Sequence, residues 1–168
     1  LYVGSGFKRK GVEDFLHIVS QLKYVNIKAF IIGKERDMRY YKSLANKLKI
    51  SNKVEFTGVR EDVDDFYAIS DVFIFPTRYE PFGNVILEAM NFGNAIFTTK
   101  QCGGGELLDD RFIMNSSKDY SVVDKIDGLL EDNKKLEKIK KRNREILNKF
   151  SIEINLKKTL KVVNSVNN

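Results

Sequence analysis

Cysteine, histidine and tryptophan are almost missing from this chain: one Cys102, one His17 and no Trp in 168 residues. A lone cysteine excludes an internal disulfide and fits a reducing, cytoplasmic compartment. One His and one Cys cannot assemble a zinc site, so no metal is expected. His17 falls on the first predicted helix, far from Cys102 in sequence, so a Cys–His nucleophilic pair is not indicated. Long apolar runs are lacking too, and none approaches the roughly 20 residues of a membrane-spanning helix. The opening Leu1-Tyr2-Val3-Gly4 has neither the basic start nor the apolar stretch of a signal peptide. It also lacks an initiator Met and reads as the interior of a strand, so a piece of a longer protein is expected. No repeat or low-complexity linker is present.

What is there suits a soluble globular domain with a sizeable core: 42% hydrophobic and 31% charged residues. The net charge of +6, from 29 basic and 23 acidic residues, raises the question of nucleic acid. Much of the excess lies in Asn133-Lys134-Lys135-Leu136-Glu137-Lys138-Ile139-Lys140-Lys141-Arg142. Leu136, Ile139, Ile146, Leu147 and Phe150 recur there near helical spacing, so the cations form the outer face of an amphipathic helix, read as a solvated face, with a membrane-surface patch as the alternative. No aromatic interleaving offers stacked bases a platform, and no nucleic-acid partner is expected.

Short apolar segments alternate with helical ones at βαβ spacing. The pattern predicts strands near Leu1–Val3, Ala29–Ile32, Val54–Thr57, Val72–Phe75, Ala95–Thr98 and Phe112–Met114. Helices are predicted near Val12–Tyr24, Met38–Lys49, Val63–Ala68, Val85–Phe92, Asp119–Leu130 and Lys134–Phe150. A final amphipathic segment runs from Glu153 to Val166, so residues 1–150 form one Rossmann-like domain and 151–168 a helix and tail. Right-handed crossovers make this an α/β fold with a doubly wound parallel sheet. In strand order 3-2-1-4-5-6 the first and fourth strands are neighbours, and ligands bind at that switch point.

Two motifs meet there. Glu80-Pro81-Phe82-Gly83-Asn84-Val85-Ile86-Leu87-Glu88 follows the buried strand Val72–Phe75. It places Glu80 in the loop at the strand's carboxyl end and Glu88 about one turn into the next helix, its side chain tilted back towards the same mouth. Two acids so aimed suit hydrogen bonding to the hydroxyls of a sugar or ribose. A charge between Leu87 and Ala89-Met90 is also costly unless partnered. The competing explanation is that Glu80 caps the helix and Glu88 is a surface residue. The second motif, Gly4-Ser5-Gly6-Phe7-Lys8-Arg9-Lys10-Gly11, fails the dinucleotide fingerprint because Arg9 stands where a third glycine belongs. Gly11-Val12 excludes the Gly-Lys-Ser/Thr of a P-loop. A turn remains, followed by two cations at a helix N-terminus, where Arg grips phosphate bidentately and Lys adds a point charge.

The wording from Asp71 to Glu88, with Ala89-Met90 and Gly93, resembles the Glu-x7-Glu signature of retaining glycosyltransferases with the GT-B fold, family four. The resemblance is specific from about Val54 to Thr99 and weak after Arg111. It covers the C-terminal, donor-binding half of that fold, with the N-terminal acceptor domain outside this chain. The opening motif is nearest the lipopolysaccharide-core glucosyltransferase branch, which shares Ser5 where the commoner form has Arg. The resemblance implies that Arg9 and Lys10 hold the donor diphosphate, that Glu88 binds the ribose and that Glu80 contacts the hexose near the reacting carbon. Gly4 and the Phe82, Gly83, Asn84 and Val85 turn line the donor site, and Gly58-Val59-Arg60 faces the base. Arg60 either stacks on that base or pairs with Glu61 or Asp62, and Gly33-Lys34 either lines the cleft or is a plain turn. Gln101-Cys102-Gly103-Gly104-Gly105-Glu106 stands where the family has Gly-Gly-x-x-Glu.

The implied function is transfer of a hexose from a nucleotide-diphospho-sugar, uridine-linked, to a glycan or glycolipid acceptor, with no cofactor. The resemblance places this at the inner face of the cytoplasmic membrane and allows peripheral association with it. Two alternatives are a GT-B sugar-nucleotide epimerase and a non-catalytic nucleotide-sugar-binding subunit.

Overall fold

The computed structural model describes residues 1–147 and Leu160. Among them, six strands alternate with helices. The strands are β1 Tyr2–Val3, β2 Ala29–Ile32, β3 Val54–Gly58, β4 Val72–Phe75, β5 Ala95–Thr99 and β6 Ile113–Met114. The helices are α1 Phe7–Lys10, α2 Val12–Gln21, α3 Met38–Lys47, α4 Val63–Ile69, α5 Asn84–Asn91, α6 Val122–Leu130 and α7 Asn133–Leu147.

All strand pairs are parallel, in ladders β1-β2-β3 and β4-β5-β6. Leu1 joins the two ladders. Its backbone nitrogen donates to Val72 O at 2.7 Å and its carbonyl accepts from Ile74 N at 3.0 Å. The spatial order is therefore 3-2-1-4-5-6, with the winding reversing between β1 and β4. Every residue of β4 and β5 is buried, as in strands covered on both faces. Beneath the switch point Tyr2 packs on Phe7, Phe15 and Phe75 with ring centroids 5.7–5.9 Å apart.

The first predicted helix starts at Val12 as expected, but an unexpected helical turn, α1, precedes it. Gly11, in the left-handed conformation at φ 78°, separates the two. A Cβ at Gly11 would lie 1.9 Å from the Pro76 carbonyl oxygen, so only glycine lets the turn approach the end of β4 this closely. Arg9 and Lys10 accordingly close a one-turn helix just ahead of α2, rather than lying in an open loop. The α1 entrance is held by Glu35, whose Oε2 accepts from Phe7 N at 2.7 Å.

The basic helix α7 buries Leu136 and Asn143 and packs Ile139, Ile146 and Leu147 against the core. Its cations are largely engaged: Lys135 with Asp132, Lys140 with Asp71 and Glu137, and Arg142 with Asp109. Arg144 donates to the Phe92 carbonyl. A face compensated in this way fits the solvated reading better than a membrane-surface patch. No helix among the described residues is long and apolar enough to cross a membrane. Phe150, at the end of the predicted helix, and the segment Glu153–Val166, apart from Leu160, lie outside the described residues.

Candidate functional site

The switch point brings the two motifs into contact. Glu80 Oε2 lies 3.2 Å from Arg9 Nη1 and 3.4 Å from Lys10 Nζ. The Arg9 guanidinium also donates to the Tyr79 carbonyl at 2.6 Å, while the Arg9 carbonyl accepts from Arg78 N at 2.9 Å. These bonds fasten the β1 loop to the β4 loop in both directions. Lys10 is mostly shielded, with 17% of its side chain exposed, and its ammonium stands 5.4 Å from the centre of the Phe75 ring. Arg9 is half exposed. Gly4 sits against the Lys10 stem, since a Cβ there would fall 2.9 Å from Lys10 Cδ.

Two cations converging on one carboxylate at a helix N-terminus form a site ready for anions. Gly83 is the α5 N-cap, at φ 83°, where a Cβ would press to 3.1 Å on both Cys102 Sγ and Glu80 Cγ. The first amides of a helix have no intrahelical acceptor. Among the described residues the amides of Phe82, Gly83, Asn84 and Val85 have no protein acceptor either. They can therefore receive a phosphate or sugar oxygen. Capping by Glu80 does not occur: α5 has no side-chain cap, and the carboxylate turns to Arg9 and Lys10 instead.

The Cys102–Gly105 segment holds this turn in place. Glu80 N donates to Gln101 O, Gly103 N to Glu80 O and Gly104 N to Phe82 O. Cys102 Sγ lies 3.3 Å from the Phe82 carbonyl, as its donor. Burial raises the thiol pKa, which leaves Cys102 a packing residue and not a nucleophile. Iodoacetamide should alkylate the folded chain at pH 8 more slowly than the denatured chain, by a factor on the order of 100 set by local opening. Equal rates would contradict the burial.

Glu88 requires a correction. Its neighbours Ile86, Ala89 and Met90 are buried, yet Glu88 itself is exposed. Each helical residue turns about 100° from the last, so an apolar flank in sequence does not put a charge on the apolar face. The desolvation argument for Glu88 therefore fails, but the side chain has a defined partner. Tyr67 Oη donates to Glu88 Oε2 at 2.9 Å.

Arg60 makes one of its two expected contacts, the pairing with Asp62. It forms a bidentate pair with Asp62 at 2.8 and 2.6 Å and lies over the Phe66 ring at 5.6 Å. Gly58 stays on the rim, its carbonyl accepting from Gly33 N at 2.8 Å, so the ends of β2 and β3 border the cleft together. Glu35 and Tyr67 were missed in the sequence because each acts through a contact between different elements, which carries no local pattern. The position of Glu35, just after Gly33-Lys34 at a strand end, was the only hint of its role. A cavity of about 580 Å³ opens near Leu1, Ala29 and Val72, at the opposite ends of the strands, and contains none of these residues.

A family model described as "Glycosyl transferases group 1" matches residues 1–146. The chain is 34% identical over 113 residues to the lipopolysaccharide glucosyltransferase WaaG of Escherichia coli K12, covering 66% of this chain and 30% of that protein. The crystal structure of the C-terminal domain of LpcC, a group 1 family glycosyl transferase of Francisella tularensis, superposes with a TM-score of 0.76 at 25% identity. That match covers 90% of this chain and 85% of the other. HepE of Anabaena, crystallised with UDP and glucose, superposes at 0.82 with 24% identity, covering 97% of this chain and 48% of that one. The chain thus spans less than half the length of WaaG and HepE.

Proposed function

The chain belongs to the group 1 glycosyl transferase family, and from that premise we propose that it is the domain that binds the sugar donor of a retaining glycosyltransferase. The donor is a nucleotide-diphospho-sugar, uridine-linked, and the acceptor is a lipopolysaccharide or another surface glycan presented by a further domain at the cytoplasmic face of the membrane. The observation that carries this reading is the convergence of Arg9, Lys10 and Glu80 beside the unpaired amides at the start of α5.

In this arrangement the diphosphate lies over Arg9 and Lys10, which stabilise the charge that grows on the departing phosphate as the sugar bond breaks. The Phe82–Val85 amides hold the distal phosphate and the sugar. Glu80 stands beside the sugar carbon, and Glu88 takes the ribose hydroxyls. Two cations and a helix N-terminus supply the positive charge, and the reading calls for no metal. The names of WaaG and of the HepE complex support the choice of uridine and hexose.

A calorimetric screen of uridine, guanosine and adenosine diphospho-sugars tests the proposal. This chain is expected to bind a UDP-sugar weakly and, on its own, to transfer no sugar to an acceptor. Binding of none of them would overturn it. Robust transfer by these 168 residues, or epimerisation of the sugar nucleotide without an acceptor in the full-length protein, would show the division of labour to be wrong.

A further inference from the structure

Tyr67 is the one fully buried phenol whose hydroxyl reaches out to a candidate ligand-binding side chain, and the proposed function gives it no role. Its ring has no exposed surface. It stacks on Phe92 with centroids 5.8 Å apart and planes 7° from parallel, and leans on Phe73 at 5.7 Å. The α4 backbone that carries it is pinned as well. Asn94 Nδ2 donates to the carbonyls of Tyr67 and Ser70, at 2.9 and 2.6 Å, and Asn143 Nδ2 of α7 donates to the Asn94 carbonyl at 2.7 Å. The phenol therefore cannot move to follow Glu88; the exposed Glu88 carboxylate is held where the phenol is.

Burial, reinforced by the adjacent Glu88 charge, pushes the Tyr67 pKa far up, so the phenol remains a donor across the physiological range. Only Glu88 Oε2 is occupied by this bond, and Oε1 is left for a ligand. An exposed glutamate otherwise samples several rotamers and loses that freedom on binding, which weakens the contact.

We propose that Tyr67 is a positioning residue that fixes Glu88 for a vicinal diol, and so sets the preference for ribonucleotides over deoxyribonucleotides. This rests on the assignment of Glu88 to the ribose. The test is calorimetric titration of wild type, Tyr67→Phe, Glu88→Gln and the double variant with UDP and 2′-deoxy-UDP. Tyr67→Phe keeps the packed ring, and melting temperature reports whether the fold is retained. Wild type should prefer UDP, and Tyr67→Phe should reduce that preference about fivefold while hardly changing 2′-deoxy-UDP binding. The double variant should be no worse than Glu88→Gln. A purely structural role would weaken both ligands equally, which would overturn the proposal, as would an unchanged preference in a Tyr67→Phe variant when Glu88→Gln abolishes it. If wild type fails to distinguish the two ligands, or Glu88→Gln leaves the preference intact, the ribose assignment falls and the proposal with it.

Discussion

Lys10→Ala is expected to weaken binding of UDP to this chain by about 30- to 150-fold, the equivalent of roughly 2–3 kcal/mol for a shielded charge-assisted contact. Arg9→Ala should cost less, about fivefold to tenfold, because half of that side chain is exposed and water screens its charge. Lys10 is different in two respects. Its ammonium is mostly shielded, over the Phe75 ring, where the local dielectric is lower and a phosphate gains more from each charge. It also neutralises Glu80, so its loss leaves the carboxylate facing the incoming diphosphate with only Arg9 to offset it. Uridine, which carries no phosphate, should bind both variants nearly as well as wild type. Added salt should weaken wild-type UDP binding more than that of Lys10→Ala. Equal losses for UDP and uridine would point to misfolding, and a larger effect at Arg9 would show that exposure does not rank the two cations.

Most of the fold and half of the site could be read from the sequence, and the boundary between what was legible and what was not has a physical basis. β4 and β5 announce themselves because strands covered on both faces read as near-continuous apolar runs, as Val72–Phe75 and Ala95–Phe97 do, with the buried Thr98 and Thr99 hydroxyls donating to backbone carbonyls. The junction of β1 with β4 was expected on the condition of the doubly wound order 3-2-1-4-5-6, and with it the meeting of Arg9 and Lys10 with Glu80. The α1 turn was hidden because the left-handed Gly11 that closes it packs on the Pro76 carbonyl, 65 positions downstream. Sequence order also misled at Glu88, where the flanking apolar residues lie on a different face of α5. Which acid Arg60 pairs with was undecidable until Asp62 and Phe66 were placed around it. Local pattern, in short, locates elements and charges; which charge faces which depends on the packing of elements distant in the chain.

The two acids should separate cleanly when each is made neutral at constant shape. Glu80→Gln removes the carboxylate that occupies Arg9 and Lys10 in the empty site, at 3.2 and 3.4 Å. Bare UDP should therefore bind this variant as well as wild type, or up to about threefold tighter, because the phosphates no longer compete with an internal anion. The additional affinity contributed by the hexose of a UDP-sugar should disappear. In the full-length enzyme turnover should fall roughly 100-fold, the size of effect seen when one oriented electrostatic contact to a reacting centre is lost. Glu88→Gln should behave in the opposite way. It stands about 6 Å along the α5 axis from the helix start, taking 1.5 Å per residue over four residues. It touches neither cation, and its partner is the Tyr67 hydroxyl. UDP binding should weaken about fivefold to tenfold, 2′-deoxy-UDP should lose little more, and the hexose increment should survive. Calorimetry with uridine, UDP and UDP-sugar reads all three contributions on the same protein. If both substitutions gave one profile across the three ligands, the acids would be acting as a unit, and the assignment of one to the sugar and the other to the ribose would fail. If Glu80→Gln instead weakened bare UDP, Glu80 would be holding Arg9 and Lys10 in place for the diphosphate, not competing with it.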